Sequence, residues 1–300
     1  MSPFFSGRRR AAAAAAAGSV VLTLIAGCSS TGSGSAARPS GSPSASSAPS
    51  AATGTPHPGK GESAPDAAAY RRWGLERPPA APPAPPAKKI TDGMRDGDAP
   101  KIVRRIPTQD KVVFLTFDDG AEKDPQFVRM AKDLKLPFTM FLTDSVARTG
   151  QGYGYFEQLR DAPGGGVRNG VDNHTIDHPN LRTLSAEAQK KEICTQQETL
   201  QKRFGERPAL FRPPYGNYND ATLAAARACG VRAVVLWEAT MQINDMRYAE
   251  GDGLRPGDIV LAHFRGPQEL KGTTMTQMVT NMLRSIERQG YTVGRLEDYL

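Results

Sequence analysis

The chain has 300 residues and a formal net charge of +7, and its first third differs in composition from the rest. Residues 1–100 hold 14 of the 24 prolines and are otherwise rich in Ala, Ser and Gly, so they lack the apolar surface that a folded domain buries. Residues 101–300 carry 27 Lys and Arg against 25 Asp and Glu without a clustered basic face, which excludes nucleic acid as the expected partner. We therefore expect one folded domain after a disordered tail, whose positive charge either attracts anionic lipid or wall polymers weakly or has no role.

The N-terminus has the pattern of an export signal. A cationic start, MSPFFSGRRR, precedes the apolar run AAAAAAAGSVVLTLIAG, which ends at Cys28. The sequence LIAGC resembles the lipobox of bacterial lipoproteins, which implies a signal peptide over residues 1–27 and a lipid attached to Cys28. The alternative is an uncleaved membrane anchor. Both predict an extracytoplasmic domain, and the lipid would anchor it to the outer face of the cell membrane, facing the cell wall.

The tail from residue 28 to residue 100 is predicted to be a disordered linker. Its Ser- and Gly-rich part should be flexible, whereas RPPAAPPAPPAKK, residues 77–89, should be a stiff polyproline segment. AAYRRWGLE, residues 68–76, has the composition of a short helix, to which we assign no role. The domain itself is expected at residues 101–300.

Strands alternate with helices through this domain. The predicted strands are 112–117, 138–143, a short run ending near residue 174, 208–212, 231–237, 258–263 and 291–295. The predicted helices are 124–134, 153–162, 185–205, 219–230 and 273–290. This alternation predicts an α/β fold of parallel strands, either closed as a barrel or opened as a wound sheet.

Polar side chains follow the predicted strands at their carboxyl ends, which is where βα barrels place their working residues. They are Asp118 and Asp119, His174 and His178, Arg212, Trp237 and Glu238, and His263. The pair His174 and His178, four residues apart, together with a carboxylate oxygen suits Zn²⁺ with open coordination positions. Each signal is weak alone, but together they predict one polar rim with a metal site.

Four motifs carry a family resemblance. TFDDG (116–120), HTIDHPNL (174–181), RPPYG (212–216) and LAH (261–263) resemble, in order and spacing, the motifs of the polysaccharide deacetylases. This carbohydrate esterase family includes chitin and peptidoglycan deacetylases. The resemblance implies a distorted, incomplete (β/α) barrel of parallel strands with outer helices, and the metal-dependent hydrolysis of acetyl groups.

The resemblance also implies roles for the residues of the first three motifs. Asp118 would be the general base, and Arg212 would pair with it. Asp119, His174 and His178 would bind a divalent metal, expected to be Zn²⁺, with Co²⁺ or another divalent ion as alternatives. Two adjacent carboxylates are tolerable if a cation neutralises each of them.

The remaining roles follow from the same resemblance. The backbone N–H of Tyr215, presented by a loop that Pro214 stiffens, would stabilise the oxyanion. His263 would protonate the leaving amine. Leu261 and Trp237 would form the apolar wall that faces the acetyl methyl group, or else belong to the core.

One position departs from the family pattern. The family usually has an acidic residue three places after the tryptophan, where it tunes the catalytic histidine, and this chain has Thr240. Glu238, Asn244 or Asp245 would have to tune His263 instead. The alternative is a glycan-binding wall protein that kept the fold and lost turnover.

The remaining expectations concern cysteines, substrate and assembly. Cys194 and Cys229 fall on predicted helices, and the sequence allows either a disulfide between them or two buried thiols. The expected substrate is peptidoglycan, followed by chitooligosaccharide and then acetylxylan, with a small N-acyl compound as the alternative. We expect a monomer.

Overall fold

The computed structural model describes residues 67–300, so Cys28, the signal sequence and the linker before residue 67 lie outside the described residues. The described chain forms seven α-helices and one ten-stranded sheet. The strands are β1 (Lys101–Val103), β2 (Val112–Asp119), β3 (Thr139–Leu142), β4 (Gly170–Asn173), β5 (Leu210–Phe211), β6 (Ala233–Val235), β7 (Ala239–Met241), β8 (Met246–Tyr248), β9 (Ile259–His263) and β10 (Thr292–Gly294). The helices are α1 (Ala67–Arg72), α2 (Pro125–Leu134), α3 (Asp144–Ala147), α4 (Tyr153–Arg160), α5 (Ala186–Phe204), α6 (Asp220–Ala228) and α7 (Met275–Arg288).

The sheet is a curled half-barrel, which confirms the predicted fold class. Its strand order is β1-β6-β5-β4-β3-β2-β9-β7-β8, and β10 pairs with the first residues of β2. Every pairing is parallel except the β7–β8 hairpin. The central strand β2 contacts three neighbours and is buried over its first seven residues, as expected for a strand covered on both faces.

The predicted helix boundaries follow from capping residues. Asp124 accepts a hydrogen bond from the backbone N–H of Gln126 at the start of α2, where Pro125 takes the first helical position. Ser185 caps α5, which ends at Gly205 in the left-handed conformation. These caps fix the start of α2 and both ends of α5.

Residues 67–100 do not behave as the predicted linker. Tyr70 and Leu75 are buried in the largest hydrophobic cluster, and Trp73 Nε1 donates to Asp133 Oδ2 at 2.9 Å. The linker prediction was wrong here because the short helix expected within residues 68–76 has apolar and aromatic side chains that pack against the domain. In the described part of the chain the folded unit therefore begins at α1.

The proline-rich segment, residues 77–89, also lies against the domain. The Thr292 hydroxyl donates to the carbonyl of Ala80, and Lys89 Nζ lies 2.6 Å from the carbonyl oxygen of Glu297. Because proline loses little conformational entropy on ordering, a few contacts are enough to hold such a segment in place. We call residues 67–100 the N-terminal strap.

Two further features were left open or missed. Cys194 and Cys229 form a disulfide that joins α5 to the end of α6, with the sulfur atoms 2.09 Å apart. The β7–β8 hairpin lies in a stretch that carries no strand signal in the sequence, because each strand has only three residues. Among residues 67–300, no helix has both the length and the apolar character needed to cross a membrane.

Candidate active site

The predicted polar rim forms at the carboxyl ends of four strands. Asp118 and Asp119 end β2, His174 directly follows β4, Arg212 directly follows β5, and His263 ends β9. Parallel pairing puts Asp118 beside His263 in register. The short strands β4 and β5 end at the same level, because the backbone N–H of Arg212 donates to the carbonyl of Asn173. Sheet register therefore gathers Asp118, His174, Arg212 and His263 at one edge.

Arg212 and Asp118 form a fully buried ion pair. Arg212 Nη1 lies 2.7 Å from Asp118 Oδ1 and 2.8 Å from the hydroxyl of Thr116. The guanidinium carbon lies 4.3 Å from the ring centre of Phe141 and 5.6 Å from that of Trp237. Burial lowers the pKa of Arg212, and the neighbouring Asp118 only partly opposes this shift. Five contacts to side chains and backbone fix this arginine, so it can hold Asp118 in one orientation.

Asp119, His174 and His178 bring three possible metal ligand atoms together. Asp119 Oδ1 lies 3.6 Å from His174 Nε2 and 3.3 Å from His178 Nε2, and all three atoms lie within 4.8 Å of one another. Atoms about 2.1 Å from one ion at tetrahedral angles are roughly 3.4 Å apart, so the spacing fits a metal such as Zn²⁺.

The protonation of His174 supports this interpretation. Its Nδ1 lies 2.7 Å from the carbonyl oxygen of Arg212, which can only accept, so Nδ1 carries the proton. Burial lowers the pKa of His174 to about 3, which leaves the ring neutral and Nε2 with a bare lone pair. That lone pair faces Asp119 Oδ1, a buried oxygen that has no hydrogen-bond partner in the described chain. Electron-rich atoms facing one another in this way fit a cation between them.

Backbone strain is concentrated at the site. Six non-glycine residues among residues 67–300 have a positive φ, and four of them are at this rim: Asp119, Thr175, His178 and Tyr215. Such conformations cost about 1–3 kcal/mol each and persist where the surroundings enforce them. Their grouping at one rim is typical of a functional site, where geometry takes precedence over stability.

The loop after Arg212 presents Tyr215 to solvent. Tyr215 is 62% exposed, and its ring centre lies 4.7 Å from that of His178. Pro214 is buried in the same short turn. Trp237 lies against this turn, because a side chain at Gly216 would meet its ring at 3.1 Å. Trp237 therefore borders both the arginine and the tyrosine loop, as a wall residue would.

Leu261 belongs to the sheet near the base of the site. It is 5% exposed and pairs in register with Thr116 on β2 and with Thr240 on β7. Both of the expected positions, core and apolar wall, are compatible with this placement.

His263 has no hydrogen-bond partner for its ring among residues 67–300. Burial lowers its pKa to about 4, although the nearby Asp118 opposes the shift. The three side chains that were candidates to tune it are engaged elsewhere. Glu238 lies 3.8 Å from Arg105, Asn244 accepts from Asn281, and Asp245 pairs with Arg247.

Sequence reasoning missed three supporting residues: Thr116, Asn173 and Glu192. Thr116 holds Arg212, and Asn173 accepts from the backbone N–H of Thr175. Glu192, on α5, accepts from the loop between the two histidines. Thr116 and Asn173 directly precede or lie within the quoted motifs, which was a usable signal. Glu192 lies far from them in sequence and gave none.

Comparison with known proteins identifies the same family as the sequence motifs. Residues 105–234 match the family model described as polysaccharide deacetylase. An uncharacterized protein of Streptomyces coelicolor is 44% identical over 227 residues, which cover 74% of this chain and 87% of that protein. A peptidoglycan-N-acetylglucosamine deacetylase of Bacillus cereus is 26% identical over 211 residues, which cover 66% of this chain and 93% of that enzyme. The crystal structure of a pseudoenzyme of carbohydrate esterase family 4 from Bacillus anthracis superposes with a TM-score of 0.53 at 21% identity, covering 67% of this chain and 69% of that one, and shows likeness of fold alone.

Proposed function

The chain belongs to the polysaccharide deacetylase family, and we propose that it is a metal-dependent hydrolase that removes acetyl groups from N-acetylated glycans. The observation that carries the proposal is the buried Asp119 Oδ1, which has no hydrogen-bond partner among residues 67–300 and faces the lone pair of His174. With His178 these residues would hold the ion, and we propose Zn²⁺ because the donor set is two imidazoles and one carboxylate. When bound, a divalent metal polarises the acetamide carbonyl and acidifies water.

The side chains of this protein would move the protons. Asp118, oriented by Arg212, takes a proton as water attacks the carbonyl carbon. His263, its cross-strand neighbour, gives a proton to the amide nitrogen as the carbon–nitrogen bond breaks, and its lowered pKa makes the protonated ring that does so scarce at neutral pH. The products are acetate and a free amino sugar. The backbone N–H of Tyr215, in a loop stiffened by Pro214, would donate a hydrogen bond to the developing oxyanion.

The substrate that we favour is peptidoglycan. The Bacillus cereus relative named above acts on peptidoglycan, as its name states. We propose in addition that the lipobox-like sequence at Cys28 anchors the domain outside the membrane, where the cell wall is the first glycan that it meets. Chitooligosaccharide and acetylxylan follow in that order.

The test is acetate release by the chain expressed from residue 29, which keeps all described residues. Peptidoglycan and chitooligosaccharide are each offered with chelator and again after Zn²⁺ is restored. We expect release that chelator abolishes and Zn²⁺ restores, and a loss of about 10²–10⁴-fold in Asp118→Asn. Release that is indifferent to chelator would refute the metal-dependent reaction.

A second candidate is a glycan-binding protein without turnover. The observation that favours it concerns the His263 ring, which has no hydrogen-bond partner among the described residues. The family usually supplies an acidic partner for this histidine. Wild-type protein that binds peptidoglycan and Zn²⁺ but releases no acetate would support this candidate.

A further inference from the structure

One carboxylate oxygen accepts two successive backbone N–H groups of the loop between the two histidine ligands. The backbone N–H groups of Ile176 and Asp177 both donate to Glu192 Oε2, at 3.1 Å and 3.0 Å. Glu192 lies in the middle of the 19-residue helix α5. A charged oxygen that accepts two successive N–H groups makes hydrogen bonds about twice as strong as neutral ones.

This loop needs support because its backbone is strained. Thr175 has a φ of 73° and His178 a φ of 57°, so the two residues that flank the held pair are both in the left-handed region. Such backbone conformations are strained in non-glycine residues and persist only where the surroundings enforce them. The His178 N–H donates to the Thr175 hydroxyl at 3.1 Å, and the backbone carbonyls of Ile176 and Thr175 accept from Ser145 and Asp144.

The same helix also holds the start of the loop. The side-chain amide of Asn173 donates to the Ile193 carbonyl at 2.8 Å and to Gln197 Oε1 at 2.9 Å. Asn173 in turn accepts from the backbone N–H of Thr175. Helix α5 therefore holds the strand end before His174 and the turn before His178 through different side chains.

The hydrogen bonds of the Glu192 carboxylate go to this loop. Among residues 67–300, no Lys, Arg or His nitrogen lies within ion-pair distance of its carboxylate, although ion pairs involve many other acidic residues of this domain. A partly buried carboxylate with backbone N–H groups as its only partners is used to fix backbone geometry.

We propose that Glu192 is a positioning residue of the metal site, which holds residues 176–177 so that His178 Nε2 stays within reach of Asp119 Oδ1. The proposal rests on the proposed function only in taking Asp119, His174 and His178 as the metal ligands. Glu192 touches neither the ion nor the substrate. Its loss is expected to loosen the second histidine ligand while the first stays fixed by its bond to the Arg212 carbonyl.

The experiment measures Zn²⁺ affinity of the chain from residue 29 by competition with a chromophoric chelator, with no glycan present. We expect Glu192→Ala to weaken binding about 10–100-fold, the usual effect of removing an outer partner of a metal ligand. Glu192→Gln should stay within about threefold of wild type, because one carbonyl oxygen can accept both N–H groups. Glu198→Ala, on the exposed side of the same helix, is the matched control and should bind like wild type.

Two results would overturn the proposal. One is a folded Glu192→Ala protein with wild-type Zn²⁺ affinity, and the other is Glu192→Gln that is weakened as much as Glu192→Ala. Thermal unfolding of the metal-free variants establishes that they are folded, and Glu192→Gln keeps the proposal testable if the alanine variant does not fold. Wild-type protein that binds Zn²⁺ but deacetylates nothing would refute the proposed function and leave this inference standing, whereas wild-type protein that binds no divalent metal would refute both.

Discussion

The guanidinium of Arg212 lies 2.7 Å from Asp118 Oδ1, and neither residue is more than 2% exposed to solvent. An ion pair this deep gains little net stability from its Coulomb energy, because both charges have lost their hydration. The pair therefore makes sense as a device that fixes the orientation of Asp118. The additional contacts of Arg212 to Thr116 and to the carbonyls of Val235 and Leu236 fix the arginine itself.

Removing the arginine should be costly. Arg212→Ala leaves Asp118 buried and unpaired, so we expect a loss of about 3–5 kcal/mol in the free energy of unfolding, measured by urea titration. Arg247→Ala removes the exposed partner of Asp245 and should change stability by less than about 1 kcal/mol. A loss of the same small size in both variants would contradict the structural account of the pair.

Restoring an acidic residue at Thr240 should change the pH dependence of the reaction. His263 has a pKa lowered to about 4 by burial, and a general acid loses activity as pH rises through its pKa. A nearby carboxylate favours the protonated imidazole and so raises the pKa. We therefore expect Thr240→Asp to move the alkaline limb of kcat/KM to higher pH, and the NMR titration of His263 with it. Thr240→Asn adds no charge and should leave both unchanged, so equal shifts in the two variants would refute the electrostatic explanation.

The disulfide should contribute to stability. Cys194 and Cys229 are 35 residues apart, and closing a loop of that length stabilises the fold by about 4 kcal/mol in the chain-entropy model. We expect the double variant Cys194→Ala, Cys229→Ala to unfold at lower urea concentration than wild type. Addition of reductant should lower the stability of wild type and leave that of the double variant unchanged. A wild type whose stability does not change with reductant would show that the disulfide contributes nothing to the free energy of unfolding.

Removal of the N-terminal strap should destabilise the domain. Burial of Tyr70 and Leu75 is worth about 1.5–3 kcal/mol for each side chain, so a chain starting at residue 101 should lose about 3–6 kcal/mol. A chain starting at residue 67 keeps these contacts and is the matched comparison. Thermal unfolding compares the two, and equal midpoints would show that the strap adds nothing.

Much of the fold was predictable because its local signals agree with one another. Helix α2 has an Asp cap and a proline at its first position, and β2 is a continuous apolar run. The β7–β8 hairpin was not predictable, because strands of three residues are set by their neighbours and not by their own sequence. The strap was missed because its order depends on contacts with residues far along the chain, among them Asp133 and Thr292.

The residues that form the site were predictable, but the side chains that hold them in place were not. Four motifs identified Asp118, Asp119 and the histidines, and strand ends predicted that they converge. Glu192 was not predictable, since its role depends on how α5 lies behind the loop. The tuning of His263 by Glu238, Asn244 or Asp245 stays a prediction, and each of these side chains contacts another partner in the described chain.

The strap also joins the two ends of the described chain. The hydroxyl of Thr280 donates to the carbonyl of Trp73 and the guanidinium of Arg284 to the carbonyl of Gly74, across more than 200 residues of sequence. Contacts of such high sequence separation form late, because most of the chain must be in place before they can close. The native contacts between the strap and α7 therefore cannot form until nearly the whole chain has been synthesised, so the first described helix of the domain is among the last to reach its native place.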